Sequence, residues 1–204
     1  FNNSVSIQKG DSKNNFFLSY NNLDQTGLMP NSELKKNTIS TRINHQLTDK
    51  LSASVYSTLT IQDTKGRNAT GYSDNLLSGF RQWWQTNRTW NRSGADDGYP
   101  LYWNNPYFQV YQNYQSDKRT RSFSYAQLKY DFNKNFGILG KVSHDYYNML
   151  IEQRLQDGSL TQAFGLSGNN APSGYWRQNV EGFETNFDLI GNYKFEISDK
   201  VNVQ

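Results

Sequence analysis

The chain has 204 residues, no cysteine and a formal net charge of +3. That excludes thiolate metal sites and cysteine catalysis, and the charge is too small to argue for a nucleic-acid partner. No apolar run approaches the roughly 18 residues of a membrane helix, which excludes a helical membrane protein but not a β-barrel, whose signal is spread thinly over many strands.

Val5 and Ile7 lie in a short strand that ends at the turn Lys9-Gly10-Asp11-Ser12-Lys13. Phe16, Leu18 and Tyr20 form the apolar face of the next strand, before a loop from Leu23 to Lys36. Ile39, Thr41 and Ile43 then alternate with Ser40, Arg42 and Asn44 up to the turn Thr48-Asp49-Lys50. Leu51, Ala53, Val55, Leu59 and Ile61 alternate with Ser52, Ser54, Tyr56, Thr58 and Thr60. A long loop over 62–120 follows. Ala126, Leu128, Tyr130 and Phe132 lead into the turn Asn133-Lys134-Asn135, and Phe136, Ile138, Val142 and Tyr146 return from it. A second long loop covers 148–181. The longest alternation runs over 183–197, with Phe183, Thr185, Phe187, Leu189, Gly191, Tyr193, Phe195 and Ile197 on one face, up to the turn Ser198-Asp199-Lys200. Gln204 falls inside a fresh alternating run and Phe1 follows no signal peptide, so the expectation is a segment of a longer chain, with seven strands and the start of an eighth.

Side chains of a strand alternate across the sheet, so each segment has one apolar and one polar face. Globular strands average about 5–6 residues, whereas a transmembrane strand needs roughly 9–11 with this alternation. Short turns alternate strictly with long loops, as in an up-and-down barrel with short periplasmic turns and long extracellular loops. The fold class is therefore all-β: an antiparallel up-and-down transmembrane β-barrel segment. Two alternatives stay open. One is a small closed outer-membrane barrel acting as an adhesin or structural protein; the other is a soluble carbohydrate-binding β-domain.

The stretch Tyr20-Asn21-Asn22-Leu23-Asp24-Gln25-Thr26-Gly27-Leu28-Met29-Pro30-Asn31-Ser32-Glu33-Leu34-Lys35-Lys36-Asn37 resembles a strand-loop-strand of SusC/RagA-like TonB-dependent transporters. Leu47-Thr48-Asp49-Lys50-Leu51 resembles the turn that follows there. Phe80-Arg81-Gln82-Trp83-Trp84-Gln85-Thr86-Asn87, Asn105-Pro106-Tyr107-Phe108 and Arg119-Thr120-Arg121-Ser122-Phe123 resemble that family's next long extracellular segment. The resemblance covers about residues 14–147. It implies a bacterial outer-membrane barrel of 22 strands, a plug domain absent from this sequence, and uptake of a glycan or peptide driven by TonB. It also implies a SusD-like surface lipoprotein over the mouth and outer-membrane lipid around the wall.

The 62–120 loop holds four of the five Trp. Ser73 or Asp74 is placed to cap a short helix near 74–88, with Leu76, Leu77, Phe80, Trp83 and Trp84 at helical spacing. Trp83, Trp84, Trp90, Tyr102, Trp103 and Tyr107 offer flat faces to a sugar or peptide, and Arg81, Asp96 and Asp97 offer polar contacts. The competing reading makes these aromatics the loop's own small core and its contact with the lipoprotein. Asp96-Asp97-Gly98 lacks a full calcium-loop pattern. His45 and His144 have no sequence neighbours with which to ligate a metal. Glu184, Asp188 and Glu196 share a face, and a lumenal position explains them without chemistry. No catalytic arrangement, metal site or cofactor is expected, and no enzyme.

Overall fold

The computed structural model describes residues 1–67, 75–77, 104, 106–157, 159, 173–198 and 201–203. Seven strands form one antiparallel sheet: β1 (Asn2–Gly10), β2 (Asn14–Thr26), β3 (Glu33–Gln46), β4 (Leu51–Lys65), β5 (Tyr114–Asp131), β6 (Phe136–Leu155) and β7 (Gly174–Tyr193). Their order in the sheet is their order in the sequence, an up-and-down meander. A short helix, α1 (Pro106–Tyr111), precedes β5. A two-stranded hairpin, β8 (Phe195–Ser198) and β9 (Val201–Val203), follows β7.

Register keeps the two faces chemically distinct. Lys9, Phe16, Ile43, Val55, Ala126, Val142 and Phe187 are cross-strand partners in one row. The next row, on the opposite face, reads Gln8, Phe17, Arg42, Tyr56, Tyr125, Ser143 and Asn186. A one-residue slip would exchange these sets. Exposure then runs opposite to that of a water-soluble sheet. In β5, Leu128 and Tyr130 are exposed while Gln127 and Lys129 are half-buried. Phe187 and Leu189 are each 81% exposed. Among the described residues the buried apolar side chains are Leu76, Pro106, Phe108, Val110 and Leu155, and the last four lie at the end of the sheet that carries the long loops. None of the described residues packs over the apolar band itself.

Aromatic rings border this band. Tyr130 and Phe132 (4.8 Å), Phe132 and Phe136 (5.2 Å), Phe136 and Tyr193 (6.5 Å), and Tyr193 and Phe195 (6.1 Å) are linked ring to ring at the short-turn end. Toward the other end Tyr20 donates its hydroxyl to Asn37 at 2.7 Å and Tyr146 to Glu181 at 3.0 Å. An apolar ring body with a polar tip suits a boundary between hydrocarbon and water.

The strands also slant. Gly10, the last residue of β1, shares a row with Asp188, and β7 continues past that row to Tyr193. Five residues of stagger are about 16 Å, against about 29 Å for six interstrand spacings, a tilt of about 30°.

The strands run further than the alternation of apolar residues indicates. β4 takes up 62–65 and β5 begins at 114, so the connection is 66–113 rather than 62–120. β6 continues to 155 and β7 starts at 174, leaving 156–173 instead of 148–181; the first loop shrinks to 27–32. The extensions of β4 and β5 are polar on both faces (Gln62-Asp63-Thr64, for example), as suits strand that stands beyond the hydrocarbon, whereas that of β6 carries Met149, Leu150 and Ile151. The 183–197 strand is broken at Lys194, whose N–H bonds to the Asn135 carbonyl at 2.8 Å.

Candidate substrate-facing wall and loop bases

The polar face of β5 presents Asp117, Arg119, Arg121, Phe123 and Tyr125 at successive inward positions. Next to them Tyr56 stacks on Tyr125 with centroids 5.5 Å apart. The Arg42 guanidinium lies 5.4 Å from the Tyr56 ring centre, and Lys141 Nζ lies 5.2 Å from that of Tyr125. A flat, cation-flanked aromatic stripe thus lines the middle of this face.

Nearer the long loops the wall is ionic. Asp117 is 1% exposed and accepts from Arg67 Nε at 2.6 Å and from Arg119 Nε at 2.7 Å. Arg121 instead grips Asp145 with two bonds, Nε to Oδ1 at 3.0 Å and Nη2 to Oδ2 at 2.5 Å. Lys36 shares a row and a face with Arg119, through Gln62. Isolated burial of Asp117 would cost several kcal/mol, and two cations offset it.

The bases of the loops are fixed to this wall. Gly66 (φ 63°) packs on the carbonyl of Asn31, itself at φ 60°. Asn31 Nδ2 donates to the Val110 carbonyl at 3.1 Å, tying the first loop to α1. Arg67 N–H bonds to the Gln115 carbonyl at 3.1 Å. Asn113 joins the two long loops: its Oδ1 accepts from Gln156 N at 2.7 Å, and its Nδ2 donates to Ser159 Oγ at 3.2 Å. Pro106 opens α1, where a missing N–H costs nothing, and Pro106, Phe108 and Val110 are buried.

Of the residues singled out by sequence, Tyr107 is described. It lies half-buried in α1, which packs against β5. Arg81, Trp83, Trp84, Trp90, Asp96, Asp97, Tyr102 and Trp103 lie outside the described residues, as do Ser73 and Asp74. Leu76 and Leu77 are helical, and the Leu77 N–H donates to Asn75 Oδ1 at 3.1 Å. His45 pairs through Nδ1 with Asn14 Oδ1, and His144 Nδ1 lies 2.9 Å from Thr185 Oγ1. Glu184 and Asp188 sit on the polar face, directly across from Asp145 and Lys141. Among the described residues no group of three His, Asp or Glu is placed to hold a metal, and no helix is long and apolar enough to cross a membrane.

The Arg67–Asp117–Arg119 cluster escapes sequence reading because Arg67 lies 50 residues before Asp117. The signal for its strand half is present: Asp117, Arg119 and Arg121 are charges at every second position.

No protein-family model matches the chain, and no curated protein matches it. Solved structures do. The RagAB peptide importer in its "open-open" state superposes with a TM-score of 0.67 at 12% identity over 98% of this chain. The same importer in its "closed-closed" state gives 0.66 at 12% identity, again over 98%. The chain spans 22% and 23% of the length of those two chains. The fold is therefore that of a β-barrel segment, seven consecutive antiparallel strands in one sheet.

Proposed function

We propose that the chain is a stretch of the wall of a TonB-dependent outer-membrane importer of a nutrient oligomer, closed from outside by a SusD-like surface lipoprotein. TonB acts through parts of the protein outside these 204 residues. The inverted exposure of the sheet carries the reading: Leu128, Phe187 and Leu189 are bare while Gln127 and Lys129 are sheltered. Lipid covers such a face at no cost, and water does not. A soluble carbohydrate-binding domain would hide the opposite set. A small closed barrel would pair its first strand with its last, whereas β1 and β7 are the two edges of the described sheet. The loops over 66–113 and 156–173 are assigned to substrate and lipoprotein, with Trp83, Trp84, Trp90, Tyr102, Trp103, Tyr107, Arg81, Asp96 and Asp97 as contacts. Peptide is favoured over glycan as cargo by the likeness to a peptide importer and by the cationic upper wall.

The test is the intact mass of the protein carrying these peptides in detergent-extracted outer membranes. A species several times heavier than 23.6 kDa that copurifies with a lipoprotein is the expected result. A species of 23.6 kDa would replace this reading with the small barrel.

A further inference from the structure

Arg67 and Arg119 differ from the other ion pairs of the wall in how they hold their acid. Each gives Asp117 a single bond, from Nε, at 2.6 and 2.7 Å. A guanidinium has five N–H donors, so each keeps its outer fork, and the two side chains are 41% and 46% exposed. Arg121, by contrast, commits its fork to both oxygens of Asp145. The buried Asp117 carboxylate therefore acts as a bracket: it fixes two guanidinium planes and leaves a local charge of +1, with Lys36 in the same row adding another. Parallel N–H pairs of this kind match a carboxylate. One row nearer the loops on the same face, Gln153 is 5% exposed and its Oε1 has no hydrogen-bond partner. A buried acceptor without a donor is costly and is normally satisfied. An acidic peptide brings a carboxylate to the two outer forks.

We infer that Arg67 and Arg119, splayed from Asp117, form a carboxylate-binding subsite at the inner rim of the wall that takes an acidic residue of an imported peptide. This deepens the importer reading and rests on it. The experiment uses the complete gene product in detergent, with a Gly-Glu repeat hexapeptide, its Gly-Gln counterpart and trigalacturonate as probes in calorimetry. The unaltered protein is expected to prefer the Glu peptide by about 10- to 100-fold, the value of one or two hydrogen bonds to a charged group. Changing Arg67→Gln, Asp117→Asn and Arg119→Gln together removes all three charges at nearly constant shape. It should bring the preference to about one. Where that variant does not fold, Arg119→Lys keeps the charge but not the fork, and the preference should fall severalfold. No preference in the unaltered protein, a preference that survives the variants, or tighter binding of trigalacturonate than of the Glu peptide would each overturn the subsite. Cellular uptake of both peptides alike would sink the subsite alone, whereas absence of any peptide uptake would sink the importer reading beneath it.

Discussion

Gly66 is the residue whose side chain matters most by being absent. Its φ of 63° is a left-handed conformation, and a Cβ built there would stand 2.0 Å from the Asn31 carbonyl oxygen. That oxygen is backbone in a second left-handed turn, so neither partner can yield cheaply. Gly66→Ala is expected to cost more than about 2 kcal/mol and to loosen the tie between the first loop and α1, read as faster proteolysis within 66–113. Gly182 makes an instructive contrast. A Cβ there would meet the Tyr147 ring at 2.7 Å, but that ring ends a flexible side chain lying across its cross-strand glycine. Gly182→Ala should cost less than about 1 kcal/mol, since the ring can swing aside. If the two substitutions prove equally harmful in denaturant unfolding, the distinction between backbone and side-chain clash fails.

At the scale of elements, one device closes three of the short turns. The first polar side chain accepts from the N–H groups two and three residues on. Asp11 Oδ1 takes Lys13 and Asn14, both at 2.7 Å; Thr48 Oγ1 takes Lys50 at 3.3 Å and Leu51 at 3.0 Å; Asn133 Oδ1 takes Asn135 at 2.8 Å and Phe136 at 2.9 Å. This is the local mimicry of a turn that Asp, Asn and Thr perform. Asn133→Ala should destabilise by about 1 kcal/mol, measured as a lower denaturant midpoint in lipid vesicles. The backbone N–H of Lys13 and then the side chain of Asn14 hold the Asp11 carboxyl below its ordinary value of 3.8. Its folded pKa is thus depressed, so its contribution is present above 3.8 and lost as pH falls through the folded value. Asp11→Asn keeps the acceptor oxygen and should abolish that acid-side dependence; an unchanged pH profile would rule it out. These turns were legible in the sequence because the polar residue that makes each one is also the residue that interrupts the alternation. The strand ends near the loops were not. Past the hydrocarbon neither face needs to be apolar, so residues such as Gln62–Thr64 and Lys118–Thr120 form ladder without any period to announce it. The ionic cluster on Asp117 was hidden for a different reason: its partners meet only after β4 and β5 have paired.

For the molecule as a whole, the exposed apolar face and the two open edges make separate demands. Lipid answers the first. Leu189→Arg should cost about 2–4 kcal/mol near the bilayer midplane, against little change for Asp188→Asn on the opposite face; equal costs would contradict the assignment of faces. The edges, β1 and the 20-residue β7, need strand partners, because unpaired backbone is not tolerated in hydrocarbon.

The lengthening of the strands, from 13 residues in β2 to 20 in β7, has a consequence for the shape of the sheet's loop-side edge. With the short turns level and the strands slanted, seven extra residues lift the β7 side by about 20 Å. The loop-side edge of the described sheet is thus a ramp that rises from β2 to β7. A lipoprotein settling over it, as proposed above, would meet the β6–β7 end first and the β2 side last.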